Sequence, residues 1–287
     1  MRIITTPEAI RTECRHGRQQ GGGLGFVPTM GALHRGHLAL VEAARRENRA
    51  TAVSIFVNPT QFGPGEDYAR YPRQLEKDAS MLERAGVDLL FAPHPEAVYP
   101  PGDATAVLVE GLSERLCGAS RPGHFRGVAT VVLKLLHLVQ PDRAYFGQKD
   151  AVQVAVLRRM VCDLHVDVTL AVCPIVRDED GLALSSRNAY LSPAERRTAL
   201  ALVRGLRALQ AAAERGETDC ARLLGAARAV LAEQANLRLD YLEAVDENDL
   251  LPRPTLQPGL LFAVAAWVGT TRLIDNAHAD ASGRVLL

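Results

Sequence analysis

The feature that most constrains this chain is an alternation. Short apolar runs of strand length take turns with longer segments whose apolar residues recur at helical spacing. Strands are expected at 24–28 (LGFVP), 51–57 (TAVSIFV), 87–92, 143–146 and 167–176, with a further one at 105–109. Helices are expected at 37–49, where Leu38, Val41 and Ala44 share a face, at 75–85, at 128–139 and at 150–163. Strands and helices in that order predict an α/β fold: a Rossmann-like parallel sheet with helices on both faces.

The pattern changes near Arg177. Ser192-Pro193-Ala194-Glu195 is a capping box with proline at the first helical position, and it opens an alanine-rich helix running to about Glu214. A second helix follows Asp219, then strand-like segments at 238–245 and 260–268. This predicts a smaller α+β domain over 177–287, after a first domain over 1–176, with the boundary at Val176/Arg177. No internal repeat is present.

Composition narrows the function classes. Lys+Arg and Asp+Glu are both 33 in 287 residues, so the basic excess of a nucleic-acid binder is absent. The longest apolar stretch, 260–268, is too short to span a bilayer, and the first twenty residues lack the apolar core of a signal peptide. The five cysteines form no C-x-x-C pair and read as buried reduced thiols of a cytoplasmic protein.

The candidate site starts at "TMGALHRGH", residues 29–37, directly after the first expected strand. Ligands of open parallel sheets bind beyond the carboxyl ends of the strands. Gly31 permits a tight turn there, and Gly36 lets a ligand approach a helix start, where free N–H groups and the dipole favour an anion. His34 and His37 would face that anion. Three other readings compete: ordinary surface histidines, a zinc pair lacking its further ligands, and a dinucleotide loop at GGGLG, which precedes the strand and departs from G-x-G-x-x-G.

"HRGH" resembles the H-x-G-H signature of the nucleotidyltransferase superfamily. With "FVPTMGALHRGH", "SIFVNPTQF", "RPGHFRGVATVV", "YFGQKD" and "LSSRN" in this order, the chain resembles the pantothenate synthetase family over nearly its whole length, most strongly over 26–190. That resemblance implies condensation of pantoate with β-alanine, using ATP, through an enzyme-bound pantoyl adenylate, with AMP and pyrophosphate released. It implies a C-terminal domain that closes over the site, and a homodimer.

By the same resemblance, Met30, Gly31, His34 and His37 line the ATP site, and His34, His37 and Lys149 are the catalytic candidates. Gly147, Gln148, Lys149 and Asp150 form a second anion-ready segment. Lys149 supplies charge there, and Asp150 holds the ribose or caps the helix. Leu184, Ser185, Ser186 and Arg187 correspond to the mobile KMSKS-type loop, or to a polar turn before the helix at Pro193. Val176 touches adenine through its backbone. Gln61 and Gln153 are the pantoate ligands, assisted by Asn58, although a lone glutamine is more often a surface residue. Mg²⁺ is expected mainly on the ATP phosphates, with Asp78 as a candidate ligand or a solvated helix carboxylate. Arg35 stands where the family often has an acidic residue and is expected to face solvent. Ala151-Val152 departs from the usual residues after "KD". Rival readings are another adenylyltransferase, an ATP-sensing module and a zinc hydrolase.

Overall fold

The structure is a computed structural model and describes residues 1–19 and 21–287. Along the chain the elements are β1 (Arg2–Ile4), α1 (Pro7–Gln19), β2 (Leu24–Thr29), α2 (Arg35–Glu47), β3 (Ala50–Ile55), α3 (Leu75–Arg84) and β4 (Leu89–Phe91). Two four-residue turns follow, α4 (Pro95–Val98) and α5 (Cys117–Ser120), then α6 (His124–Val139), β5 (Arg143–Gly147), α7 (Ala151–Asp163) and β6 (Thr169–Cys173). The remainder is α8 (Pro193–Ala199), α9 (Ala201–Glu214), α10 (Cys220–Ala232), β7 (Leu237–Asp246), β8 (Leu260–Val268), β9 (Thr271–Ala279) and β10 (Val285–Leu286). Two compact units result. The first comprises Met1–Glu114, Arg121–Gly147 and Val156–Cys173; the second comprises Arg115–Ser120, Gln148–Ala155 and Pro174–Leu287.

The first unit holds a six-stranded parallel sheet of order β1-β4-β3-β2-β5-β6. Phe26 and Val27 are both fully buried, so β2 is covered on both faces, as its unbroken apolar run requires. Val27, Val53 and Leu90 pack with Leu40, Val41 and Ala44 of α2 and Leu82 of α3. Each such large side chain contributes about 1.5–3 kcal/mol on burial. From β2 the chain proceeds through β3 and β4 to one side and then returns to place β5 on the other. The strand order therefore reverses at the carboxyl ends of β2 and β5, the switch point where open α/β sheets take ligands.

The second unit is the expected α+β assembly: an antiparallel sheet of order β10-β9-β8-β7. Its core joins Leu202, Leu206, Leu209, Leu223 and Leu231 of α9 and α10 to Phe262, Val264, Leu273 and Ala277 of the sheet. The capping box at Ser192 and Glu195 forms as expected. The alanine-rich helix is interrupted at Leu200, giving α8 and α9.

Three expectations are corrected. Residues 105–109 form no strand, since the amide of Val107 donates to Thr130 Oγ1 (2.9 Å) on α6 instead of a neighbouring strand. The cysteines are all free, but Cys162 is exposed and Cys173 half-buried; only Cys14, Cys117 and Cys220 are buried. Helix α2 starts at Arg35, ahead of the expected His37. Beyond these corrections, the sequence reading did not foresee β1, α1, β9 or β10.

Candidate active site

The early start of α2 makes His34 its N-cap. His34 Nδ1 accepts the Gly36 amide at 3.1 Å, and His37 Nδ1 accepts the His34 amide at 3.3 Å. This is the reciprocal geometry of a capping box, built here from two imidazoles. The rings sit with centroids 4.1 Å apart. Because each Nδ1 is an acceptor, the neutral ring carries its proton on Nε2. Both rings thus stand at the positive end of a helix dipole, a polarity suited to an anion. The neighbouring Arg35 is exposed, as expected.

The turn feeding that helix is fixed from behind. Thr29 Oγ1 donates to Ser54 O (2.7 Å) and accepts the Gly31 amide (3.1 Å). Gly31 has φ +82°, and a Cβ there would stand 3.0 Å from both Asp78 Oδ2 and Ile55 Cγ2, so only glycine fits. Asp78 is 1% exposed, so it is not a solvated helix carboxylate. Its Oδ2 accepts the Ala32 amide at 2.8 Å and its Oδ1 the Leu33 amide at 3.0 Å, with Gln74 Nε2 at 3.3 Å. Both carboxylate oxygens thus hold the turn that carries Met30 to His34, a structural role that stands beside the expected metal role. Asp78→Ala is expected to orphan two buried amides, at about 1–3 kcal/mol each, seen as a lowered urea midpoint. A Mg²⁺ half-saturation more than about tenfold weaker in Asp78→Asn would support the metal role, and an unchanged one would leave only the structural role.

Gln61 is 9% exposed and Asn58 is 1% exposed, so neither is a surface amide. Asn58 Nδ2 donates to Gln61 Oε1 (3.0 Å) and to Gly127 O (3.1 Å), and Gln61 Nε2 donates to Met30 Sδ (3.1 Å). The Gln61 amide is thereby oriented, with one N–H of its NH₂ left over after the methionine contact for a bound acid or hydroxyl. Asn58 Oδ1 in turn accepts Tyr99 OH at 2.8 Å and Thr60 OH at 2.9 Å. Burial pushes the Tyr99 phenol above its ordinary range, against the opposing Thr60 bond and with Asp103 adding to the rise, so it stays a donor.

Sequence reasoning missed the supports of this turn. Gly127 on α6 approaches so closely that a Cβ would lie 2.4 Å from Thr60 O and 2.7 Å from Gln61 Cα. His124 Nδ1 lies 2.8 Å from Gln61 O. The stretch "RPGHFRG" had marked the region without giving either residue a task.

The remaining candidates belong to the second unit, apart from Gly147, which ends β5. Gln148–Asp150 is a 3-10 turn leading into α7. The Lys149 side chain is 20% exposed and the Asp150 side chain 48%, with Lys149 Nζ 3.6 Å from Asp150 Oδ1. Lys149 is therefore not a fully solvated surface lysine. Gln153 is half-buried on the first turn of α7, between buried Val152 and Val154. Residues 176–184 form a tight hairpin, with Leu184 N donating to Val176 O (3.0 Å), Asp178 N to Leu182 O (2.8 Å), and a bridge between Arg177 and Ala183. Ser185 then caps a 3-10 turn (Ser186–Tyr190) by accepting the Arg187 amide at 3.3 Å. Its hydroxyl proton is unaffected by that bond, so the capping role and a donor role coexist. Leu184, Ser186 and Arg187 are half-buried.

Among the described residues no group of three or more His, Cys, Asp or Glu side chains is placed to hold a metal ion. The candidate residues of the first unit offer imidazole and amide N–H groups, and those of the second unit offer amides, hydroxyls, the Lys149 ammonium and the Arg187 guanidinium.

The family model described as pantoate-beta-alanine ligase matches residues 2–278. A pantothenate synthetase of Koribacter versatilis is 55% identical over 283 residues, covering 99% of this chain and 97% of that protein. The crystal structure of pantothenate synthetase from Thermus thermophilus superposes with a TM-score of 0.92 at 53% identity, covering 96% of this chain and 98% of that one. The pantoate-beta-alanine ligase of Francisella tularensis, complexed with beta-gamma ATP and beta-alanine, gives a TM-score of 0.79 at 34% identity, covering 96% and 97%.

Proposed function

This chain belongs to the pantoate–β-alanine ligase family and joins pantoate to β-alanine at the cost of ATP, and from that premise we propose how its residues carry the reaction. A pantoate carboxylate oxygen attacks the α-phosphorus, the bond from that phosphorus to the bridging oxygen of the β-phosphate breaks, and pyrophosphate leaves. The β-alanine amine then attacks the acyl carbon, the acyl–oxygen bond breaks, AMP leaves, and the amine gives up its proton. No protein nucleophile is needed. Catalysis is positioning plus stabilisation of charge on phosphate oxygens.

The observation that carries this reading is the reciprocal capping of His34 and His37, which turns both Nε2–H groups into fixed donors at a helix start. They serve phosphate oxygens as charge moves toward the leaving group. Lys149, Ser185, Ser186 and Arg187 add cationic and hydroxyl donors to the nucleotide, with Met30, Gly31, Gly147, Gln148, Asp150, Val176 and Leu184 lining it. Gln61 and Gln153, with Asn58 orienting Gln61, hold pantoate. Neutral amides suit a carboxylate that must stay reactive. Mg²⁺, when bound, neutralises phosphate charge. The donor-rich, carboxylate-poor residues here fit an ion that arrives on the ATP phosphates.

A cytoplasmic homodimer completes the reading. Its support is the family resemblance, together with the finding that no helix among the described residues is long and apolar enough to cross a membrane. Sedimentation at the mass of a single chain would remove the dimer.

The adenylate route is tested by its first half. ATP and pantoate without β-alanine are expected to give one pyrophosphate per site in a burst, and β-alanine then converts the trapped intermediate to amide and AMP. A ligase working through an acyl phosphate would yield ADP and orthophosphate instead, and ADP as the nucleotide product would overturn the route.

A further inference from the structure

Strand β9 carries two adjacent polar side chains that are nearly inaccessible: Asp275 at 3% and Asn276 at 2% exposed. Asp and Asn are depleted from strands, and an interior sheet position would ordinarily take an apolar residue. Neighbours along a strand face opposite ways, so the two are on different faces of the sheet. Asp275 shares its face with Leu273 and Ala277, which belong to the core. Asn276 is on the other face.

Asn276 reaches the turn that carries Lys149. Its Nδ2 donates to Gln148 O at 2.9 Å and to Lys149 O at 3.0 Å, and its Oδ1 is 3.4 Å from Gln148 Nε2. One amide group thus pins two consecutive carbonyls, and the glutamine contact settles which way that amide points. With both peptide planes held, the direction in which the Lys149 stem leaves the backbone is set. That matters for lysine, whose four-carbon stem otherwise spreads its charge over many rotamers.

Asp275 secures the strand at this point. It takes Arg177 in a two-pronged pair (2.7 and 3.0 Å) and also accepts the Asn276 amide at 2.8 Å. Sheet stability alone does not call for this polar pair.

We propose that Asn276 is a positioning residue for adenylate formation, acting through Lys149 by fixing the two carbonyls of the Gln148–Asp150 turn. The proposal rests on the reading of Lys149 as a phosphate-binding group. It is tested by rapid-quench measurement of the pyrophosphate burst in a double-mutant cycle. In Asn276→Asp a carboxylate faces both carbonyls and cannot donate to them. The burst rate is expected to fall about tenfold to a hundredfold, as for a small misplacement of a catalytic group, while calorimetric pantoate affinity stays within about twofold. Asn276→Ser keeps a single donor; it is expected to lose less, and it provides the cycle with a second variant should the aspartate variant not fold.

In a Lys149→Ala background either substitution is expected to add less than about a further twofold, because its effect passes through a side chain already gone. A full loss in both backgrounds, or an unchanged burst in both Asn276 variants, would overturn the proposal. A normal burst in Lys149→Ala alone would overturn it by removing its premise, and that result is distinguishable because it appears before Asn276 is touched.

Discussion

His37→Ala loses about 100- to 1,000-fold in turnover, or roughly 3–4 kcal/mol of transition-state stabilisation, the usual cost of one preorganised donor to developing charge. The structure adds a complication that the sequence alone does not show. His37 also caps α2 through Nδ1, so alanine removes a structural bond together with the catalytic one. The cap is worth about 1 kcal/mol, and the two losses separate in two further variants. His37→Asn keeps an acceptor near the Nδ1 position and lacks the reach of Nε2. It is expected to melt like the parent and to be as inactive as alanine. His37→Gln places an amide N–H near the Nε2 position, and it is expected to recover part of the turnover with a lowered melting temperature. Turnover of His37→Asn close to the parent's would take His37 out of the chemistry and leave it a cap.

Asp275→Ala is expected to cost the fold about 3–5 kcal/mol, the penalty for leaving one member of a buried ion pair uncompensated. Arg177 is the member left behind. Its side chain is 15% exposed and its Nε is already buried without a partner, so the bond from Nη1 to Gly181 O (3.2 Å) would remain without a carboxylate to balance the charge. The measurement is the urea midpoint at constant slope, since a changed slope would report a changed denatured state. Replacing both members, with Asp275→Leu and Arg177→Met, is expected to restore most of the loss, because two well-packed apolar side chains carry no desolvation penalty. A double variant as unstable as Asp275→Ala would mean that the carboxylate is needed for something other than its partner, such as the Asn276 amide it accepts.

The outline of the first unit was legible because its central strands and helices differ in period. The apolar run at β2 and the 3.6-residue stripe of α2 each declare themselves locally. Where the apolar signal is sparse, legibility fails. Helix α1 buries Ile10 and Cys14 among charged neighbours, and β9 (TRLIDNAHA) hides its strand alternation behind buried Asp275 and Asn276. The segment at 105–109 errs in the opposite direction. Its local pattern is strand-like, yet its amide bonds to a helix side chain, and no local pattern contains that partner.

The candidate site divides along the same line. Residue types and order, from "HRGH" to "LSSRN", are properties of the sequence, and they set which chemistry is available: imidazoles, an ammonium, hydroxyls and amides, without a metal cage or a nucleophile elbow. Only the structure decided which nitrogen of each histidine accepts a backbone amide, because either ring nitrogen can do so. Only the structure showed Asp78 as the clasp of the Gly31 turn, because its partners Ala32 and Leu33 are brought to it by packing from more than forty positions away. Asn276 is separated from Lys149 by 127 positions and meets its carbonyl at 3.0 Å. A sequence specifies such a contact only through the whole fold, since a hydrogen bond depends on an ångström of separation and periodicity conveys no more than which face a residue is on.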